Sequence, residues 1–292
     1  MKPIGIVTDS HSSITPGAAK QLGIVVLPMP FYFGDECFYE NTTLTRDAFF
    51  ERLSEGETVS TSQLSPMAVT DAWDEALKEY EKILYLPLSS GLSGACGVAM
   101  AMAQDEPYEG RVLVVDNGRV STPLHSSILD ALELIEAGYT AEEIKKALED
   151  SRDRMVVYIG VDTLEYLKKG GRITPAAAML GGVLNIKPIL RVTVEKLDAF
   201  KKCRGFVKAR KQMIESIRED LETTFKEEHE RGEVRLLAAT SAGEEETAQW
   251  VKEIEAAFPG MEVLCDNLSL GVCCHTGPGA LGIGLSCKPK VE

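Results

Sequence analysis

Short apolar runs alternate with amphipathic segments through the first half of the chain. Ile4–Thr8 is a buried-strand pattern that ends in a polar turn. Further strands are predicted at Ile24–Pro28, Pro30–Phe33, Ile83–Pro87 and Val112–Val115. Helices are predicted between and after them, at Pro16–Gly23, Thr45–Glu55, Met67–Lys82, Gly94–Ala103, Ser126–Ala137 and Ala141–Arg154. Pro16 lies just inside a helix start and Gly23 at its end. Thr45 is placed to cap a helix whose Phe49, Phe50 and Leu53 share a face. Val69, Trp73, Ala76 and Leu77 recur at helical spacing. Strands alternating with helices of this length imply a three-layer α/β/α domain on a mostly parallel sheet.

The second half follows another pattern. A strand at Met155–Val161, a short helix at Asp162–Lys169 and a small-residue helix at Pro175–Leu184 lead into a hairpin, Lys187–Val194 with Lys196–Ala199. A long charged helix at Gly205–His229 precedes a strand at Glu233–Thr240, a helix at Gly243–Phe258 and a strand at Glu262–Asn267. The tail, Gly277–Leu285, is glycine-rich and apolar. These elements suggest an α/β layer on a mixed sheet. The boundary falls near Ser151–Val156, giving an N-terminal domain over 1–154 and a C-terminal domain over 155–292. No Gly/Ser/Pro-rich linker separates them, so the two are expected to pack closely.

Composition narrows the classes of function. The chain has 292 residues and a net charge of −14. Nucleic-acid binders hold phosphate backbones with clustered Lys and Arg, so that class is not expected. No apolar run reaches the ~20 residues of a membrane-spanning helix. The start, Met1-Lys2-Pro3-Ile4-Gly5, lacks the apolar stretch and cleavage site of a signal peptide. The seven cysteines are scattered, with Cys273 and Cys274 adjacent and no CxxC pair. Reduced thiols in a cytoplasmic protein fit this usage, and neither a metal nor a cofactor is expected.

Four polar clusters fall at strand ends or loops, where open α/β sheets form sites. Thr8-Asp9-Ser10 reads equally as a turn cluster or as a site. In Ser60-Thr61-Ser62-Gln63-Leu64-Ser65-Pro66, Ser65 fits a helix cap, which leaves Thr61, Ser62 and Gln63 to line a site. Ser89-Ser90-Gly91-Leu92-Ser93-Gly94 suits an anion at a helix start or a plain capped turn; it is neither a P-loop nor Gly-x-Ser-x-Gly. The fourth, Glu165-Tyr166-Leu167-Lys168-Lys169-Gly170-Gly171-Arg172, ends a helix at its glycines and presents Arg172, either to a carboxylate or phosphate or simply to solvent. Among the four histidines, His11 sits in a turn, His125 ahead of a helix and His229 in a charged run. His275 precedes the glycine-rich Thr276-Gly277-Pro278-Gly279. Ser93 with His275, oriented by Asp9, is a hydrolase alternative supported by residue types alone.

In this order the motifs resemble the DegV family, the fatty-acid-binding components of bacterial fatty acid kinase. The resemblance covers almost the whole chain: Val7-Thr8-Asp9-Ser10, Thr61-Ser62-Gln63, Ser89 to Gly94, Asp162 to Ile173, Leu184-Asn185-Ile186-Lys187-Pro188-Ile189-Leu190, and His275 to Ala280. Ala95, Cys96 and Asn117 depart from the family pattern. The resemblance implies two domains with a fatty acid held in a pocket between them. It implies that Thr61, Ser93, Arg172 and His275 bind the carboxylate, supported by Ser62, Gly94, Gly171 and Thr276. A separate ATP-dependent kinase subunit would phosphorylate the carboxylate, giving an acyl phosphate for phospholipid synthesis. The chain itself would be a non-catalytic carrier with no transmembrane segment, transient membrane contact being allowed. All four binding residues are hydrogen-bond donors, as a carboxylate site requires. Candidate tail-lining residues are Ala177, Ala178, Met179, Leu180, Leu184, Ile186 and Leu281, though any one of them alone reads better as core. Lys168, Lys169 and Arg172 form a basic island that either steers an acidic partner or complements a helix dipole.

Overall fold

The computed structural model describes residues 1–179, 186–194 and 196–291. The chain divides into two compact units, Met1–Asp153 and Arg154–Leu268. Ser269–Gly271 and the residues from Pro289 return to the first unit, and Val272–Lys288 to the second.

The first unit contains β1 (Lys2–Asp9), α1 (Pro16–Leu22), β2 (Val25–Leu27), β3 (Pro30–Phe33), β4 (Glu36–Tyr39), α2 (Arg46–Ser54) and β5 (Val59–Thr61). It continues with α3 (Pro66–Glu79), β6 (Tyr80–Leu86), α4 (Ala95–Met102), β7 (Val112–Val114), α5 (Thr122–Glu136) and α6 (Ala141–Asp150). A four-stranded parallel sheet runs in the order β2-β1-β6-β7. Successive side chains serve opposite faces. Val7, Ile83 and Tyr85 join Trp73 and Leu77 of α3 and Ala99 of α4 on one face. Ile6, Leu84 and Leu86 join Leu124 and Ile128 of α5 and Ile144 of α6 on the other. This is the expected α/β/α arrangement.

A second sheet, β4-β3-β5, is antiparallel and was not expected beyond β3. Its partners are four and three residues long, too short to show a period. Its core is aromatic: Phe31 and Phe33 each lie 5.4 Å, ring to ring, from Phe49 of α2. Three helix boundaries also move. Tyr80 is extended and pairs with Lys2, so sheet pairing ends α3 at Glu79, short of the expected Lys82. α5 begins four residues early, with Pro123 in its first turn, so His125 lies inside the helix. α6 stops at Asp150.

The second unit contains β8 (Met155–Gly160), α7 (Glu165–Gly170), α8 (Pro175–Ala178), β9 (Ile186–Val192), β10 (Leu197–Arg204), α9 (Phe206–Glu222) and α10 (Lys226–Glu230). It ends with β11 (Val234–Thr240), α11 (Glu244–Ala257), β12 (Val263–Asn267), α12 (Leu270–Thr276) and β13 (Leu281–Cys287). Six strands form one mixed sheet, β10-β9-β8-β13-β11-β12, parallel only between β11 and β12. Ala209, Met213 and Ile217 of α9, with Trp250 and Ile254 of α11, pack on one face against Tyr158, Leu236, Leu281 and Ile283.

The expected helix over Gly205–His229 is two helices. Thr223 leaves the helical region, its hydroxyl donates to the Glu219 carbonyl at 2.6 Å, and Phe225 turns into the core. Leu281 is buried in the core under α9 and α11, and Met179 is 80% exposed. Ala177 is fully buried, while Ala178 and Ile186 are half-buried. Leu180, Leu184 and Asn185 lie outside the described residues, as does the end of the helix expected over Pro175–Leu184. Among the described residues no helix is long and apolar enough to cross a membrane.

Candidate functional site

In the first unit the strand order reverses direction between β1 and β6. The chain leaves β1 toward β2 on one side and returns to β6 on the other. At such a switch point the loops splay apart and leave a crevice at the carboxyl ends of the strands. The two loops that border it carry the first and third polar clusters.

The first cluster knots these loops together. Thr8 donates through Oγ1 to the Leu86 carbonyl at 2.7 Å. Asp9 is fully buried, and each of its oxygens accepts a backbone N–H: His11 at 2.9 Å and Leu88 at 2.8 Å. Ser10 Oγ accepts from Met29 N at 3.0 Å. The imidazole beside Asp9 is that of His11, whose Nδ1 lies 3.3 Å from Asp9 Oδ1.

Ser93 ends the loop after β6. Its N–H donates to the Ser89 carbonyl at 3.1 Å, and its Oγ accepts from the N–H of Ala95, the first residue of α4, at 3.2 Å. A hydroxyl that accepts one N–H still has its own proton to donate. Gly94 is exposed, and Gln63 Oε1 lies 3.8 Å from the position a β-carbon would take there. Gln63 therefore brings the second cluster up to the third. Thr61 is half-buried at the end of β5, opposite Phe31, and Ser62 is exposed with its N–H directed to the Pro30 carbonyl. Ser65 caps α3 by accepting from Ala68 N at 3.2 Å, as expected. An apolar hollow borders these segments, lined by Met29, Leu64, Tyr85, Ala95, Ala99 and Met102.

In the second unit Arg172 and His275 converge on Gly170, the last residue of α7. Gly171 closes that helix at φ +69°, its N–H donating to the Leu167 and Lys168 carbonyls. Arg172 Nη1 donates to the Gly170 carbonyl. The Arg172 backbone is fixed by Leu197 N, which donates to its carbonyl at 3.0 Å. The His275 imidazole lies on the Gly170 α-carbon: a β-carbon at Gly170 would sit 2.0 Å from His275 Nδ1 and 2.8 Å from Cε1. His275 stands in the last turn of α12, a helix the glycine-rich tail concealed. Thr276 Oγ1 donates to the Val272 and Gly277 carbonyls, so its hydroxyl serves the end of that helix.

Two residues outside the expected set shape this region. Ser241 Oγ donates to the Gly277 carbonyl at 2.7 Å and accepts from Ala280 N at 2.9 Å, pinning the loop after His275. The polar run Thr240-Ser241 at the end of β11 was its only signal. Glu40 Oε2 accepts the N–H of Leu270, the first residue of α12, at 2.8 Å, and burial pushes its carboxyl above the usual range.

Among the described residues no group of three His, Cys, Asp or Glu side chains is placed to hold a metal ion. None of the seven cysteines forms a disulfide. Burial pushes the Cys96 thiol up to about 12 and the Cys265 thiol up to about 11, so neither is a thiolate nucleophile at neutral pH.

Two α/β units, the first with hydroxyl donors in the loops at its strand ends and the second with a guanidinium and an imidazole at its helix ends, define the class. Within it the chain belongs to the DegV family: a family described as "Uncharacterised protein, DegV family" matches residues 3–288. A DegV domain-containing protein of Deinococcus radiodurans is 34% identical, the match covering 97% of this chain and 98% of that one. A solved DegV family protein of Thermus thermophilus, described with fatty acid binding, is 33% identical, with a TM-score of 0.87 over 98% of this chain and 99% of that one. DegV of Bacillus subtilis, described as a fatty acid binding protein, is 29% identical, with a TM-score of 0.81 over 99% and 100%.

Proposed function

We propose that this protein binds a long-chain fatty acid and presents its carboxylate to a separate ATP-dependent fatty acid kinase subunit for acyl phosphate formation. The observation that carries the reading is the convergence of Arg172 and His275 on Gly170. It is supported by relatives described as fatty-acid-binding that match almost the whole chain. Thr61 and Ser93 complete the proposed carboxylate set, with Ser62, Gly94, Gly171 and Thr276 in support. That one ligand would meet all four donors rests on the family resemblance alone.

The energetics divide the labour between tail and head. Burying a methylene contributes about 0.8 kcal/mol, so a 16-carbon tail contributes up to about 12 kcal/mol before ordering costs. The carboxylate loses its water on entry, and its donors chiefly offset that loss and fix its position. A guanidinium supplies charge-assisted hydrogen bonds, the strongest of the set. The carrier works in the cytoplasm on this reading, which its unbridged thiols fit.

Native mass spectrometry of the purified chain tests the proposal. A non-covalent adduct of fatty-acid mass is expected, lost on denaturation. A chain that carries no adduct, takes up no added palmitate and hydrolyses an ester would instead be a hydrolase.

The kinase contact has its own test. Lys168 and Lys169 are exposed at the C-terminal end of α7, where they also complement the helix dipole. Reversing both to Glu is expected to slow association with the kinase several-fold at low salt and to matter little at high salt. An unchanged association rate at low salt would remove them from the contact.

A further inference from the structure

The contact between α7 and the end of α12 is reciprocal. His275 lays its ring on Gly170 of α7, and Tyr166 of α7 lays its ring on Gly277, two residues beyond His275. A β-carbon at Gly277 would lie 2.4 Å from Tyr166 Cδ2 and 2.6 Å from Cε2. Tyr166 and Gly170 are four residues apart on α7, so they share one face. Each side of the contact therefore supplies one ring and one glycine, and neither glycine has room for a side chain.

This arrangement restricts the imidazole. Its ring is held against backbone at Gly170, and the chain that follows it is held under the Tyr166 ring. Gly277 has φ +72°, a conformation that glycine adopts freely and other residues rarely do. We propose that Tyr166 is a positioning residue for His275, acting through Gly277 by the flat surface of its ring. The inference rests on the fatty-acid reading in taking His275 as a carboxylate donor. The phenol is half-buried, and burial raises its pKa, so it is neutral at working pH. The ring's shape, not a charge, is what Gly277 meets. Ser241 pins Gly277 independently, so removal of the Tyr166 ring loosens the imidazole without releasing the loop.

The test follows His275 directly. The full chain is labelled with 13C-histidine, the His275 ring signal is assigned with His275→Gln, and palmitate affinity is measured by displacement of a fluorescent fatty acid. Tyr166→Phe is expected to match the parent in both readouts. Tyr166→Ala is expected to shift and broaden the His275 signal and to weaken palmitate about ten-fold. If Tyr166→Ala does not fold, Tyr166→Leu, which keeps bulk without the planar ring, takes its place with the same expectation. A His275 signal unchanged in the ring-less variant overturns the inference. If the parent takes up no palmitate, the fatty-acid reading fails, and the His275 signal of the unliganded protein still decides the positioning role.

Discussion

Gly170→Ala is expected to cost the protein most of its affinity for palmitate while leaving it folded. Gly170 is the last residue of α7 and is not among the glycines at positive φ, so its backbone accepts alanine. Alanine is the better helix former by about 1 kcal/mol, which favours the variant's fold. The new methyl, however, would lie 2.0 Å from His275 Nδ1. No pair of heavy atoms tolerates that distance without a covalent bond, so the imidazole must rotate away. The Arg172 bond to the Gly170 carbonyl is made to backbone and survives. The variant thus removes one donor from the carboxylate and leaves the other. A hydrogen bond to a charged group is worth about 1.5–3 kcal/mol, which corresponds to about 10–100-fold in affinity. Calorimetric titration with palmitate reads this loss, and the thermal midpoint should stay at or above the parent's. A double-mutant cycle with His275→Ala locates the cause: if the methyl acts by displacing the imidazole, the two losses do not add. Parental affinity in Gly170→Ala would remove His275 from the site.

The parallel half-sheet was legible because its strands are buried on both faces and read as apolar runs between amphipathic helices. Caps were equally legible. Thr45 accepts from Ala48 N at 3.3 Å and Ser65 from Ala68 N at 3.2 Å, both from spacing alone. What failed to show were elements decided by distant partners. β4 and β5 exist because Phe31 and Phe33 need neighbours on both edges. Tyr80 and Lys82 continue a helical pattern by composition but are taken by β1, because pairing across a sheet outweighs a helix end.

The site divides in the same way. Residue types show that Thr61, Ser93, Arg172 and His275 can donate hydrogen bonds. They do not show which hydroxyls are already engaged by backbone. Ser93 and Thr276 look alike in sequence, yet the Ser93 hydroxyl accepts Ala95 N and keeps its own proton to donate, while the Thr276 hydroxyl spends its proton on the carbonyls at the end of α12. The ring-on-glycine contacts at Gly170 and Gly277 were invisible for a related reason. A glycine pair reads as a helix stop, which Gly171 is, and nothing local reveals that its neighbour is small to admit an imidazole from over a hundred residues away. Asp9 is the hardest case, since a buried carboxylate beside a histidine has the composition of a catalytic pair and here holds two loops.

Asp9→Ala is expected to lower stability by about 2–6 kcal/mol and to weaken palmitate through Ser93. Asp9 is fully buried, and its carboxylate receives His11 N on one oxygen and Leu88 N on the other. Truncation strands two N–H groups, each at a cost of about 1–3 kcal/mol. His11 also loses its neighbour, since its Nδ1 lies 3.3 Å from Asp9 Oδ1. Leu88 opens the loop that ends at Ser93, so freeing its N–H loosens the hydroxyl that faces the proposed carboxylate. Asp9→Asn separates the contributions. Its amide offers one carbonyl oxygen in place of two acceptors, so one N–H is kept and the other meets an NH2 group. Stability is therefore expected to fall in the order Asp, Asn, Ala, with the asparagine variant near the middle. Urea unfolding followed by tryptophan fluorescence gives the order, and palmitate titration shows whether affinity falls with it. Parental unfolding midpoints in both variants would mean that the two loops are held by something other than Asp9. A stability loss with parental affinity would instead separate the knot at the switch point from the placement of Ser93.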